Sequence, residues 1–89
     1  MRVVCLYKRE TDYGREVEEY LNDIGRYPTN TKIEVLDPES TEGESLARAY
    51  DIVRYPAILA LNSTDGSVVQ SFIGLPLPEM DEVTYYLNS

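Results

Sequence analysis

Apolar positions along the chain follow two rhythms, one of strands and one of helices. "RVVCLYK" (2–8) is an almost unbroken run of β-favouring apolar residues, the pattern of a central strand covered on both faces. In "VEEYLNDI" (17–24) the rhythm changes. Val17, Tyr20, Leu21 and Ile24 recur at i, i+3, i+4 and i+7, one stripe of a helix. Glu16, Glu18 and Glu19 stand early in that helix, where its dipole favours negative charge. Gly25 supplies a C-terminal stop and "RYPTN" a loop.

"KIEVLD" (32–37) alternates and predicts a second strand. "PESTEGESLARAYDI" holds a loop and then a helix, whose apolar members are Leu46, Ala49, Tyr50 and Val53. "PAILALN" (56–62) predicts a third strand opened by proline, and "STDG" (63–66) carries the Asp-Gly signature of a tight hairpin. "SVVQSFIG" (67–74) alternates as a fourth strand. "LPLPEMDEVTYYL" gives a proline-rich entry and a last helix with Met80, Val83 and Leu87 on one side. The predicted order is βαβαββα, an α/β fold. The first two strands, joined through a helix, are expected to be parallel. The last two form an antiparallel hairpin, and helices cover both faces of a four-stranded mixed sheet.

Length and charge narrow this picture. Residues 1–89 leave room for a single domain and no second core. Net charge is −8, and no Lys or Arg follows Arg54. Nucleic acid and anionic membrane surfaces are therefore excluded as expected partners, because both need clustered cations. No apolar run is long enough for a membrane span, and Met1-Arg2 opens no signal-peptide pattern. The expected setting is the cytoplasm.

The reactive inventory is thin. Cys5 is the single cysteine, so no intrachain disulfide and no cysteine-based zinc cage can form. Histidine is absent, which removes Ser-His-Asp and Cys-His nucleophilic systems. Asp37, Glu39, Glu42 and Glu44 match no calcium-loop spacing and are expected to form a solvated acidic loop. No catalytic residue, cofactor or metal site is expected.

Three stretches together resemble the thioredoxin-fold superfamily, at the size of a glutaredoxin-type domain. "VVCLYK" and the segment up to Gly14 are similar to the first strand and active-site turn of glutaredoxins. "LARAYDIVRYPAILAL" resembles the helix, turn, cis-proline and strand of thioredoxins, with Pro56 at the cis-proline position. "GSVVQSFIGLPLPEMDEVTYYL" resembles the terminal hairpin, the glycine after it and the closing helix. The resemblance implies a thioredoxin-like fold for the whole chain.

It also implies what is missing. Thr11, Asp12, Tyr13 and Gly14 stand where the family carries Cys-x-x-Cys. Thiol–disulfide exchange needs a thiolate attacker, and a threonine without an adjacent base cannot replace it. Glu10 takes the place of the tryptophan common in thioredoxins, and Leu75 follows Gly74 where glutaredoxins continue their glutathione pattern. Lys8 does match the lysine near the glutaredoxin active-site loop. In the family the main chain of the residue before the cis-proline, here Tyr55, pairs with extended peptide or glutathione.

The candidate ligand surface is thus Lys8, Thr11, Asp12, Tyr13, Tyr55 and Pro56. Each has a plain structural alternative. Thr11 and Asp12 are ordinary helix caps, and Pro56 is a fold-defining turn. Residues 9–23 hold six acids against two arginines, which disfavours an anionic ligand at the helix start. Tyr7, Tyr13 and Tyr55 are candidates for the cleft, with core or half-buried packing the commoner fate of tyrosine; Tyr20, Tyr50 and one of Tyr85 or Tyr86 fit core stripes. The leading expectation is a redox-inactive domain that binds another protein or extended peptide, or self-associates. The alternative is residual thiol- or glutathione-linked oxidoreductase activity through Cys5 or Lys8.

Overall fold

In the computed structural model, which describes residues 1–89, the first apolar run becomes strand β1 (Arg2–Leu6) at the middle of the sheet. It pairs in parallel with β2 (Glu34–Leu36) and antiparallel with β3 (Ala57–Leu61). β4 (Val68–Ile73) lies antiparallel to β3, so the strand order is β2-β1-β3-β4. Three helices, α1 (Gly14–Ile24), α2 (Thr41–Ala49) and α3 (Met80–Leu87), complete a mixed α/β fold with elements in the order βαβαββα.

β1 beyond Arg2 and the whole of β3 are apolar because both faces of the sheet are covered. Val3, Cys5 and Tyr7 meet Val17 and Ile24 of α1 and Val83 and Leu87 of α3 on one face. Val4 and Leu6 point the other way, into a second cluster with Ala47 of α2, Ala57, Leu59 and Leu61. Burying a leucine such as Leu59 contributes about 1.5–3 kcal/mol, so these two clusters carry most of the stability. At the outer end of β1, Arg2 donates to both carboxylate oxygens of Glu34, at 2.8 and 3.0 Å. This bidentate pairing is geometrically specific.

Several boundaries differ from the pattern-based expectation. α2 stops at Ala49 because Asp51 adopts φ 59°, which turns the chain out of the helix. Val53 therefore leaves the helical stripe and is 82% exposed, and Ala49 faces solvent. Ala47 is buried instead, with Leu46 and Tyr50 half-buried against it. β2 is shorter than expected: Thr31, just upstream, is tied to the end of α3, its N–H and Oγ1 both donating to the Leu87 carbonyl. The β3–β4 turn is wider than a two-residue hairpin, closed by Asn62 N–H to Ser67 O at 2.8 Å. The Tyr50 hydroxyl donates to the Gly66 carbonyl at 2.6 Å and anchors that turn to the end of α2. Of the two neighbouring tyrosines in α3, Tyr86 turns toward the core and Tyr85 is 67% exposed. No helix is long and apolar enough to cross a membrane.

Candidate functional site

The start of α1 is shaped by one glycine. A Cβ at Gly14 would collide with the Arg9 carbonyl oxygen, so the chain from Arg9 to Gly14 is wound tightly enough to exclude any side chain there. The Gly14 N–H donates to the Thr11 carbonyl at 3.1 Å. Neither Thr11 nor Asp12 caps the helix. The N-cap position is Tyr13, with no side-chain cap, and the Thr11 hydroxyl donates backward to the Lys8 carbonyl at 2.7 Å. The expected cap fails because the tight turn places the helix start at Tyr13, past both residues.

Pro56 opens β3, its peptide bond with Tyr55 is cis, and its carbonyl accepts from the Gly74 N–H at 2.7 Å. Gly74 has φ +77°, and a Cβ there would come within 2.9 Å of the Arg54 guanidinium. Both its backbone angle and its neighbour therefore call for glycine. The main-chain N–H and C=O of Tyr55 make no hydrogen bond within the chain. Its ring is half-buried against the α2-side core, and its hydroxyl reaches the Ile52 carbonyl at 3.3 Å. The Lys8 ammonium stands 5.9 Å from the centre of the Tyr55 ring and 4.0 Å from the Glu39 carboxylate. A contact of this kind at a half-exposed site is worth about 0.5–1 kcal/mol, and the ion pair to exposed Glu39 adds little.

Lys8, Thr11, Tyr55 and Pro56 are thus linked by direct contact or chain adjacency. Tyr13 is not among them. It packs against the core on the α1 and α3 side, whereas Tyr55 packs on the α2 side, so the sheet separates the two rings. Asp12 is exposed and its side chain makes no hydrogen bond. Tyr7, a candidate for the cleft, is 5% exposed and takes the commoner core fate, because the buried apolar run continues one residue past β1. Five surface depressions of about 240–410 Å³ lie elsewhere, and none is lined by Thr11, Asp12, Tyr13, Tyr55 or Pro56. The candidate site is an open surface.

Arg54 was not among the sequence candidates. It is exposed, makes no ion pair and lies against Gly74. Its signal in the sequence is position: it is the last cation of the chain and directly precedes Tyr55-Pro56.

The thiol is chemically quiet. Cys5 has no exposed surface, and burial pushes its pKa up to about 12. A thiol held in its neutral form away from solvent is neither nucleophile nor redox centre at neutral pH. Comparison of the chain with protein-family models, with curated proteins and with solved structures finds no match.

Proposed function

We propose that this is a redox-inactive, thioredoxin-like domain that binds an extended polypeptide along Val53–Pro56, with Lys8 and Arg54 bordering the contact. The observation that carries the reading is Tyr55. Its main-chain donor and acceptor are unused within the chain, on a segment fixed on one side by the Lys8 contact and on the other by the Gly74–Pro56 hydrogen bond. Extended peptides gain affinity from such main-chain groups and specificity from flanking side chains. The two cations suit a peptide with an acidic side chain or a free carboxylate.

The thioredoxin-like part of the reading is supported by a parallel β1–β2 pair joined through α1, an antiparallel β3–β4 pair, and helices on both faces of the sheet. The proposed setting is the cytoplasm, where a lone thiol stays reduced. Residual oxidoreductase activity is disfavoured by the burial of Cys5.

A library of extended peptides titrated against the native protein and Tyr55→Ala tests the reading, with amide shifts recorded over Val53–Tyr55. Binding that weakens in the variant and perturbs those amides is expected. Binding that leaves those amides unmoved, or no binding at all, would remove it.

A further inference from the structure

The two edges of the sheet are managed differently. β2 is three residues long and its Glu34 is held by Arg2. β4 runs for six residues, Val68–Ile73, and only Phe72 is partly covered. No ionisable side chain occurs from Gly66 to Pro78, in a chain of net charge −8. Natural edge strands are usually blunted by shortness, charge or proline. β4 has none of these, and its register shift is confined to the end near Leu61.

The Gly74 N–H to Pro56 O bond fixes the phase of the β3–β4 ladder. In that phase the pairs Ile58↔Phe72 and Ala60↔Gln70 exchange hydrogen bonds, and the main chain at Ser71 and Ile73 points away from β3. One outward group is already occupied: the Ser71 N–H donates to the Gln70 side-chain oxygen at 2.9 Å. Toward α3 the edge opens into a groove of about 370 Å³. Phe72, Tyr85 and Tyr86 line it, with edge-to-face ring contacts at 6.5 and 5.0 Å. Asp81 and Glu82 also line it, and neither carboxylate is ion-paired.

We infer that the β4 edge accepts, by strand addition, an extended segment of another protein with Lys or Arg at alternate positions. Its main chain bonds Ile73 and Ser71, displacing the exposed Gln70 side chain from the Ser71 N–H. Its alternate cationic side chains enter the groove, where they meet the Asp81 carboxylate and the Tyr85 and Tyr86 rings. The intervening side chains cover Val68 and Ile73, which are 44% and 39% exposed. A second copy of this chain is the poorer occupant. Its β4 brings no cation, and pairing would bring Asp81 and Glu82 of both copies together. This inference does not rest on the Tyr55 surface.

The probe is the eight-residue alternating peptide acetyl-(Lys-Val)₄-amide, titrated into ¹⁵N-labelled full chain, with acetyl-(Glu-Val)₄-amide as control. The lysine peptide is expected to shift the amides of Gln70–Ile73 and to bind native protein and Tyr55→Ala alike. Asp81→Asn is expected to weaken it roughly threefold to fivefold. Ser71→Pro removes an outward N–H without touching the β3 ladder, and should weaken binding about tenfold. A lysine peptide N-methylated at every residue keeps its charge but has no N–H left to pair, and should lose binding even if Ser71→Pro does not fold. Equal binding of the N-methylated or glutamate peptide would overturn the proposal. So would a concentration-dependent dimer of the free protein that Ser71→Pro dissolves, since that makes a second copy the occupant.

Discussion

The Lys8 ammonium lies 5.9 Å from the centre of the Tyr55 ring, joining the end of the first apolar run to the turn before β3. The contact brings together residues 47 positions apart (55 − 8), and it joins two side chains of the candidate surface. A double-mutant cycle of Lys8→Ala and Tyr55→Ala should give a coupling of about 0.5–1 kcal/mol in urea denaturation. Strict additivity would mean that the two side chains do not sense each other.

Gly14→Ala addresses the tight turn that leads into α1. The added methyl meets the Arg9 carbonyl oxygen, which belongs to the main chain and cannot swing aside. The substitution should cost about 1–3 kcal/mol, although alanine is the better helix former. A midpoint equal to or above that of the native protein would show that the turn relaxes easily.

Tyr20→Phe tests the tie between α1 and the segment entering α3. The Tyr20 hydroxyl donates to the Pro78 carbonyl at 2.8 Å, and burial raises its pKa above the usual tyrosine range. Loss of the hydroxyl should cost about 0.5–1.5 kcal/mol. In an ultraviolet titration the native protein should lose one late-ionising tyrosine on substitution, and an unchanged curve would contradict that assignment.

Cys5 makes stability fall at high pH. Its pKa rises from 9.0 to about 12 through burial, so the fold retains a proton that the unfolded chain releases. The thiol's contribution is complete below pH 9.0 and is lost progressively as the pH climbs toward about 12. Tyrosines titrate in the same window, so the comparison is with Cys5→Val. The native protein should lose more stability between pH 8 and pH 11 than the variant, as read from urea midpoints. Native Cys5 should also react with an aromatic disulfide reagent no faster than the protein unfolds.

Much of the architecture could be read from the sequence because its elements depend on local rhythm. The β1 and β3 runs and the Val17–Ile24 stripe formed where the pattern put them. What failed depends on one backbone angle or on sidedness. The φ of Asp51 ended α2 and left Val53 in solvent. The tight turn at Gly14 moved the N-cap to Tyr13, past the two residues with capping side chains. Within the candidate surface, adjacency in the chain held for Tyr55 and Pro56. The sequence could not tell that Tyr13 and Tyr55 lie on opposite sides of the sheet, because strand runs covered on both faces carry no polarity mark.

That same absence of polarity bears on how the central strand finds its alignment. In a sheet with one wet face, sliding a strand by one residue would drown its apolar side chains, and the error corrects itself. Here Val3 and Cys5 would merely trade sides with Val4 and Leu6, grease for grease. Discrimination then falls to bulk, since Cys5 is smaller than the Leu6 it would replace, and to the Arg2–Glu34 clasp, which closes only when Val4 sits opposite Glu34. Volume and a peripheral charge pair are what distinguish the observed alignment from its one-residue neighbour, so a change at Arg2, outside either core, bears on the pairing of the innermost strand.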